Sequence, residues 1–245
     1  MEYFFKNIDL YEEAKLKATN NPDDFWDGLA KTFKWRKPWN KILEYDFKSA
    51  DIKWFLGGKL NIIENCLDRH LKSHPKKTAL IFEPNNPEEP SIHISYEELH
   101  SRVCKVANML KTNGAKKGDR ICLYMPMIPE LAVVVLACAR IGAIHSVVFG
   151  GFSATALATR INDAECNILV TADGGFRGDK ITPLKQIADE ALKHCPSVKR
   201  SIVCKRTNQK VNWNDIDVWW HEELEKVDEN CEPEIMDSED PLFIL

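Results

Sequence analysis

Hydrophobic and polar positions alternate in long, regular blocks from Arg120 onward. Pro129 to Ile141 is apolar on nearly every face, which predicts a buried helix rather than an amphipathic one. Gly142 stands where a helix stops. Ala143 to Phe149 is short and rich in Ile and Val, as a central parallel strand should be. Gly150-Gly151 turns the chain, and Ser153 is placed to cap a helix over Ala154 to Asp163. The alternation predicts further strands at Arg120–Tyr124, Asn167–Thr171 and Ser201–Cys204, and a helix at Leu184–His194. This βαβαβαβ order predicts an α/β fold: a mostly parallel sheet with flanking helices.

Upstream, Thr78–Phe82 and Ser91–Ile94 read as two short strands around a loop rich in Pro and Glu. Ser95-Tyr96-Glu97-Glu98 is a capping box, and Leu99, Val103, Val106 and Leu110 mark one face of the helix after it. Leu60–Ser73 reads as one helix, with Ile63, Leu67 and Leu71 on a stripe. Residues 1–60 differ in texture. Trp26, Trp35, Trp39 and Trp54 sit among many charges, and helices are predicted near Leu10–Ala18 and Asp24–Phe33. We read 1–60 as a helical, Trp-rich N-terminal extension packing on a main body at 61–245. Thr207–Asn214 reads as a loop, Asp217–Val227 as a helix, and Glu229–Asp240 as acidic and irregular. Pro241 to Leu245 is expected to be a strand cut off before its loop.

Composition narrows the function classes. The chain has 245 residues and is 44% hydrophobic, enough for a substantial core. A net charge of −4 gives no general reason to expect nucleic acid or an anionic membrane as partner. No apolar run approaches the ~20 residues of a membrane span. Eight cysteines are scattered without a C-x-x-C pair, and we expect buried thiols in a reducing cytoplasm. Cys66, His70 and His74 have helix-face metal spacing. Short Cys/His matches arise by accident, and two imidazoles near a helix C-terminus need no metal.

Candidate chemistry gathers at strand ends. Phe149-Gly150-Gly151 offers bare backbone N–H groups and a helix N-terminus. The loop Asp173 to Lys180 adds Arg177 and Lys180. Both are expected on the ligand edge of the sheet, at the carboxyl ends of neighbouring strands. Arg grips phosphate oxygens in a fork and Lys acts as a mobile point charge. The pair suits a phosphorylated or nucleotide-like ligand; it equally suits a tight βα turn with two solvated cations. Spacing alone leaves both open. His145 lies inside a predicted strand and is expected to be a hydrogen-bonded core histidine. The sequence has no G-x-G-x-x-G after a strand, no P-loop, no G-x-S-x-G and no H-E-x-x-H.

Longer stretches carry a resemblance. Asn65-Cys66-Leu67-Asp68-Arg69-His70, the run Ala137–Ser153, Pro183-Leu184-Lys185, Trp219-Trp220 and the ending Asp240 to Leu245 closely resemble the AMP-forming acetyl-CoA synthetases, members of the adenylate-forming superfamily. The resemblance covers almost the whole chain. It implies a ligase that joins acetate and ATP into acetyl-AMP and then passes the acetyl group to CoA. Mg2+ is expected with ATP in the full-length enzyme. The chain would be the first part of the large N-terminal domain, stopping before the phosphate loop, and inactive by itself. No catalytic residue or metal ligand falls within it. What falls within it is a CoA site: Arg177, Gly178, Asp179 and Lys180 match the family's loop against the CoA nucleotide phosphates, and Phe149, Gly150 and Gly151 border the CoA path. The chain departs from the family's pattern at Asp179, where that family usually has a small or neutral residue. The implied partners are acetate, ATP and CoA, with no nucleic acid and no membrane, and with self-association of the truncated chain. Alternatives are a ligase for propionate or another short acid, a non-catalytic CoA-binding or interaction fragment, and, more distantly, a dinucleotide-binding dehydrogenase domain.

Overall fold

The computed structural model describes residues 5–245. The chain divides into two compact units.

Unit 1 comprises residues up to Asn65 together with Ile235–Asp240. Two helices come first, α1 (Ile8–Asn20) and α2 (Pro22–Ala30). Asn7 caps α1 by accepting from the Leu10 amide at 2.9 Å, and Pro22 sits in the first turn of α2, where no partner for its nitrogen is needed. The segment after them is not helical. It forms an antiparallel hairpin of β1 (Lys41–Asp46) and β2 (Asp51–Leu56), followed by the short β3 (Lys59–Leu60). β3 pairs with residues 236–237 near the end of the chain. The tryptophans contact one another: Trp26 meets Trp54 edge-on at 5.6 Å, and Trp35 meets Trp39 at 4.8 Å. Leu60–Ser73 is not one helix. α3 spans only Ile62–Cys66, and a separate 3₁₀ turn covers Asp68–His70. Glu64, 2% exposed, sits in α3 between Lys34 Nζ at 2.7 Å and Arg36 Nε at 2.8 Å. Burial works to raise its pKa, but the two cations together hold it below the usual carboxylate value.

Unit 2 comprises Cys66–Glu234 and Pro241–Leu245. β4 (Thr78–Phe82) and β5 (Ile92–Ser95) form a hairpin. α4 (Tyr96–Thr112) starts at the predicted capping box: Ser95 Oγ accepts from the Glu98 amide, and the Glu98 carboxylate accepts from the Ser95 amide at 2.8 Å. Then come β6 (Arg120–Tyr124), α5 (Pro129–Ile141), β7 (Ile144–Val147), α6 (Ala154–Asp163) and β8 (Ile168–Ala172). The stretch read as a basic loop is a small hairpin, β9 (Gly175–Arg177) and β10 (Lys180–Thr182), leading into α7 (Leu184–Leu192). β11 (Arg200–Cys204) follows. Asp217–Val227 is a strand before it is a helix: β12 (Asp217–Trp219) joins the sheet and α8 spans only Trp220–Leu224. The chain ends with β13 (Met236–Asp237), the partner of β3, and β14 (Phe243–Ile244).

The central sheet has the order β12-β11-β8-β6-β7-β14, with every neighbouring pair parallel. Its middle strands form the core, with Ile121, Cys122, Leu123, Leu169, Val170, Ile202 and Val203 fully buried. Seven of the eight cysteines are buried and Cys66 is exposed; all eight are free thiols. Among the described residues no helix is long and apolar enough to cross a membrane. No group of three or more His, Cys, Asp or Glu side chains there could hold a metal ion, so Cys66, His70 and His74 do not converge.

Candidate functional site

Because β6, β7, β8 and β11 run parallel, the segments that leave them emerge on one side of the sheet. β7 and β8 are not adjacent; β6 lies between them. After β6 comes Met125-Pro126, after β7 Phe149-Gly150-Gly151, after β8 the β9–β10 hairpin, and after β11 Lys205-Arg206-Thr207.

Leu184, at the first position of α7 and 2% exposed, joins the two glycine-bearing segments. A Cβ on Gly150 would stand 3.5 Å from one Leu184 methyl and 3.4 Å from the Met125 carbonyl oxygen. A Cβ on Gly175 would stand 3.4 Å from the other Leu184 methyl and 3.0 Å from Pro126. At Gly175 the 3.0 Å approach to Pro126 leaves little room for a side chain, whereas at Gly150 a Cβ would meet its neighbours at ordinary van der Waals distance. Tyr124, at the end of β6, fixes the turn from below: its hydroxyl donates to the Phe152 carbonyl at 2.9 Å and to the Gly150 carbonyl at 3.2 Å. Phe149 is turned outward, 67% exposed.

The hairpin is rooted by Asp173, 2% exposed. Its Oδ1 accepts from the backbone amides of Gly174 (2.8 Å), Arg206 (2.7 Å) and Thr207 (3.0 Å). Arg177 pairs with Lys180 across the hairpin end, and Gly178-Asp179 makes the two-residue turn, with Gly178 at φ +57. Directly opposed residues share a face, so Arg177 and Lys180 stand together on one side and Phe176 and Ile181 on the other. Arg177, Gly178, Asp179 and Lys180 are all exposed. Among the described residues neither cation has an ion-pair partner, and Asp179 does not pair with Lys180. Backbone donors, a close-packed glycine turn and two unneutralised cations make a place for an anion.

Residue patterns singled out these two segments; they did not single out what supports them. Lys185, one position after Leu184 and fully buried, contacts Asp189 one helical turn on and Asp217 Oδ2 at 2.9 Å. Its Nζ also donates to the Asn212 carbonyl at 3.3 Å. The Lys185/Asp189 pair at i,i+4 is visible in the sequence, whereas Asp217 comes from a distant strand. Burial pushes the Asp189 carboxyl above its ordinary pKa, overriding the pull of Lys185. His145 is 8% exposed, but it is not the hydrogen-bonded core histidine expected: its buried Nδ1 has no partner among the described residues, and its ring stacks on Phe243 at 5.6 Å. Burial lowers its pKa, favouring neutral imidazole.

Comparison with known proteins adds a separate line. The family described as AMP-binding enzyme matches residues 67–245. The chain belongs to this family. The description acetyl-coenzyme A synthetase N-terminus matches residues 11–66. An acetyl-coenzyme A synthetase of Saccharophagus degradans is 51% identical over 241 residues, covering 98% of this chain and 37% of the relative. One from Desulfatibacillum aliphaticivorans is 53% identical over 239 residues, covering 96% of this chain and 36% of its own length. The chain thus spans little more than a third of the curated relatives it matches. A solved structure titled acetoacetyl-CoA synthetase from Streptomyces lividans superposes with a TM-score of 0.85 over 94% of this chain and 35% of that one. At 24% identity this likeness speaks for the fold, a parallel α/β sheet with flanking helices, as in this AMP-binding family member.

Proposed function

We propose that this chain is the N-terminal part of an AMP-forming acetate–CoA ligase, and that its strand-end site takes the nucleotide end of CoA. In the whole enzyme, acetate would attack the α-phosphate of ATP to give acetyl-AMP and pyrophosphate. The CoA thiol would then displace AMP to give acetyl-CoA. No catalytic group is assigned within these residues. Mg2+ would accompany ATP, and the described residues offer it no cluster of three or more ligands. The eight free thiols support a reducing cytoplasm as its place of work. Acyl choice between acetate and a slightly longer acid lies outside this site.

The observation that carries the CoA assignment is the hairpin. Arg177 and Lys180 share one face without a carboxylate partner among the described residues, at the strand-end edge where Leu184 also packs on the Gly150 turn. Their target is a terminal phosphate of CoA, the 3′-phosphate on its ribose. A charge-assisted hydrogen bond contributes ~1.5–3 kcal/mol, so Arg177→Ala should weaken CoA binding roughly tenfold or more. Dephospho-CoA, which lacks that phosphate, should lose much less. Lys180→Ala should follow the same pattern more weakly, and Asp179→Gly should tighten binding by removing a like charge. Parallel calorimetric titration of both ligands is the test. Equal losses for the two ligands would exclude the 3′-phosphate as target, and no loss for either would reduce the hairpin to a solvated turn.

A further inference from the structure

Arg206 lies in the segment after β11, and its guanidinium makes no ion pair among the described residues. Instead it stands between two rings, with Cζ 5.2 Å from the centre of Phe176 and 5.7 Å from that of Phe82. Phe176 belongs to β9, next to Arg177 and on the hairpin face opposite the two cations. Phe82 ends β4. The same region of the chain reaches the hairpin a second time, where Asn85 Nδ2 donates to the Gly178 carbonyl at 3.0 Å. The Arg206 backbone amide, through Asp173, fixes the hairpin root. The hairpin is thus held at root, middle and tip while the Arg177/Lys180 face stays open.

A hairpin of two three-residue strands has little stability of its own. Two cations on such a ribbon would spread over many orientations, and a phosphate would have to order them on binding. A cation between two aromatic faces is attracted to both ring quadrupoles. We infer that Arg206 is a positioning residue for Arg177 and Lys180, bracing the hairpin from behind through Phe176 and Phe82 so that the two cations meet a phosphate already aligned. This rests on the reading of the hairpin as a CoA phosphate grip. It assigns Arg206 no contact with the ligand.

The test uses Arg206→Leu, Arg206→Lys, Phe176→Leu and the double variant Arg206→Leu/Phe176→Leu, each first matched to the parent in far-UV circular dichroism. Hydrogen exchange at residues 175–182 is measured without ligand, and CoA and dephospho-CoA are titrated in parallel. Arg206→Leu and Phe176→Leu should each speed hairpin exchange and weaken CoA roughly threefold to tenfold, with a smaller effect on dephospho-CoA. Because Phe176→Leu removes one of the two ring contacts that Arg206→Leu removes, the double variant should lose no more than the worse single variant. Arg206→Lys, which keeps a cation between the rings, should recover part of the loss. Unchanged hairpin exchange in Arg206→Leu would overturn the inference. So would losses that multiply in the double variant, since Arg206 would then act apart from Phe176. The exchange arm decides independently of the ligand: faster exchange in Arg206→Leu, with CoA binding insensitive to Arg177→Ala, would uphold the brace and sink the CoA reading.

Discussion

Lys185→Met replaces a fully buried ammonium by a thioether of similar length and leaves two carboxylates facing each other without their cation. Asp217 is as buried as Lys185, and its second oxygen already lacks a partner among the described residues. Among the described residues Asp189 then keeps the Asn214 side-chain amide, at 2.9 Å. Removing one member of a buried ion pair typically costs 3–5 kcal/mol, because the survivor is a buried charge without compensation. For a domain of this size each kcal/mol moves the melting temperature by about 2–4 °C, so a fall of roughly 6–20 °C is expected. The pH dependence has a definite sign. Burial already holds the Asp189 carboxyl above its ordinary pKa, and loss of Lys185 removes a group that pulls it down, so through Asp189 the native state binds more protons than the unfolded state across that window. Stability then grows as pH falls. The deficit of the variant should shrink from pH 7 toward pH 4. Differential scanning calorimetry over that range reads both effects. Lys185→Met/Asp189→Asn/Asp217→Asn, with the charges removed together, should recover more than half of the loss. A fall below 2 °C at pH 7, or a triple variant no better than the single, would show that the cation is not what balances this cluster.

Two other perturbations probe the neighbouring features. Tyr124→Phe removes the hydroxyl that donates to the Gly150 and Phe152 carbonyls and should cost about 1 kcal/mol, read as a fall of a few degrees in melting temperature, with roughly threefold weaker CoA binding; unchanged CoA affinity would free the turn from the ligand path. Among the described residues β14 lies at the sheet edge, with Phe243 and Ile244 exposed and β7 as its strand partner. Such an edge invites association, so multi-angle light scattering at high concentration should find a dimer or larger species and Ile244→Lys should shift it toward monomer; a strictly monomeric parent refutes this.

The sheet was legible because its central strands are short apolar runs flanked by an all-apolar helix and glycine stops. β6 and α5 were predicted with the bounds the structure shows. The misses share a physical cause. β1 and β2 carry charges beside aromatics and lack an Asn-Gly or Asp-Gly turn, so no period-2 pattern stands out. Trp219 and Trp220 suit a strand or a helix equally, and only parallel pairing of Ser201–Val203 with Asp217–Trp219 settles the first three residues as β12. At Leu67 the apolar stripe continues while the backbone breaks, so periodicity carried the helix too far. At the site, Arg177 and Lys180 stood out as basic residues near glycines. Their placement on one face depends on the two-residue turn at Gly178-Asp179. The pairs Lys185–Asp217, Asp173–Arg206 and Arg206–Phe176 bring together residues thirty or more positions apart, which no local pattern records.

Unit 1 is assembled from two segments far apart in the sequence, and this sets a clock on its synthesis. β3, at Lys59–Leu60, waits for Met236–Asp237, about 175 residues later. At ~5–20 residues per second a ribosome needs roughly 10–35 s to supply them. During that interval the whole of unit 2 except β14 is made, while Lys59 and Leu60 lack their strand and Lys59 lacks Asp237, its ion-pair partner at 2.6 Å. Lys59 and Leu60 are therefore completed only after nearly all of unit 2 has been synthesised.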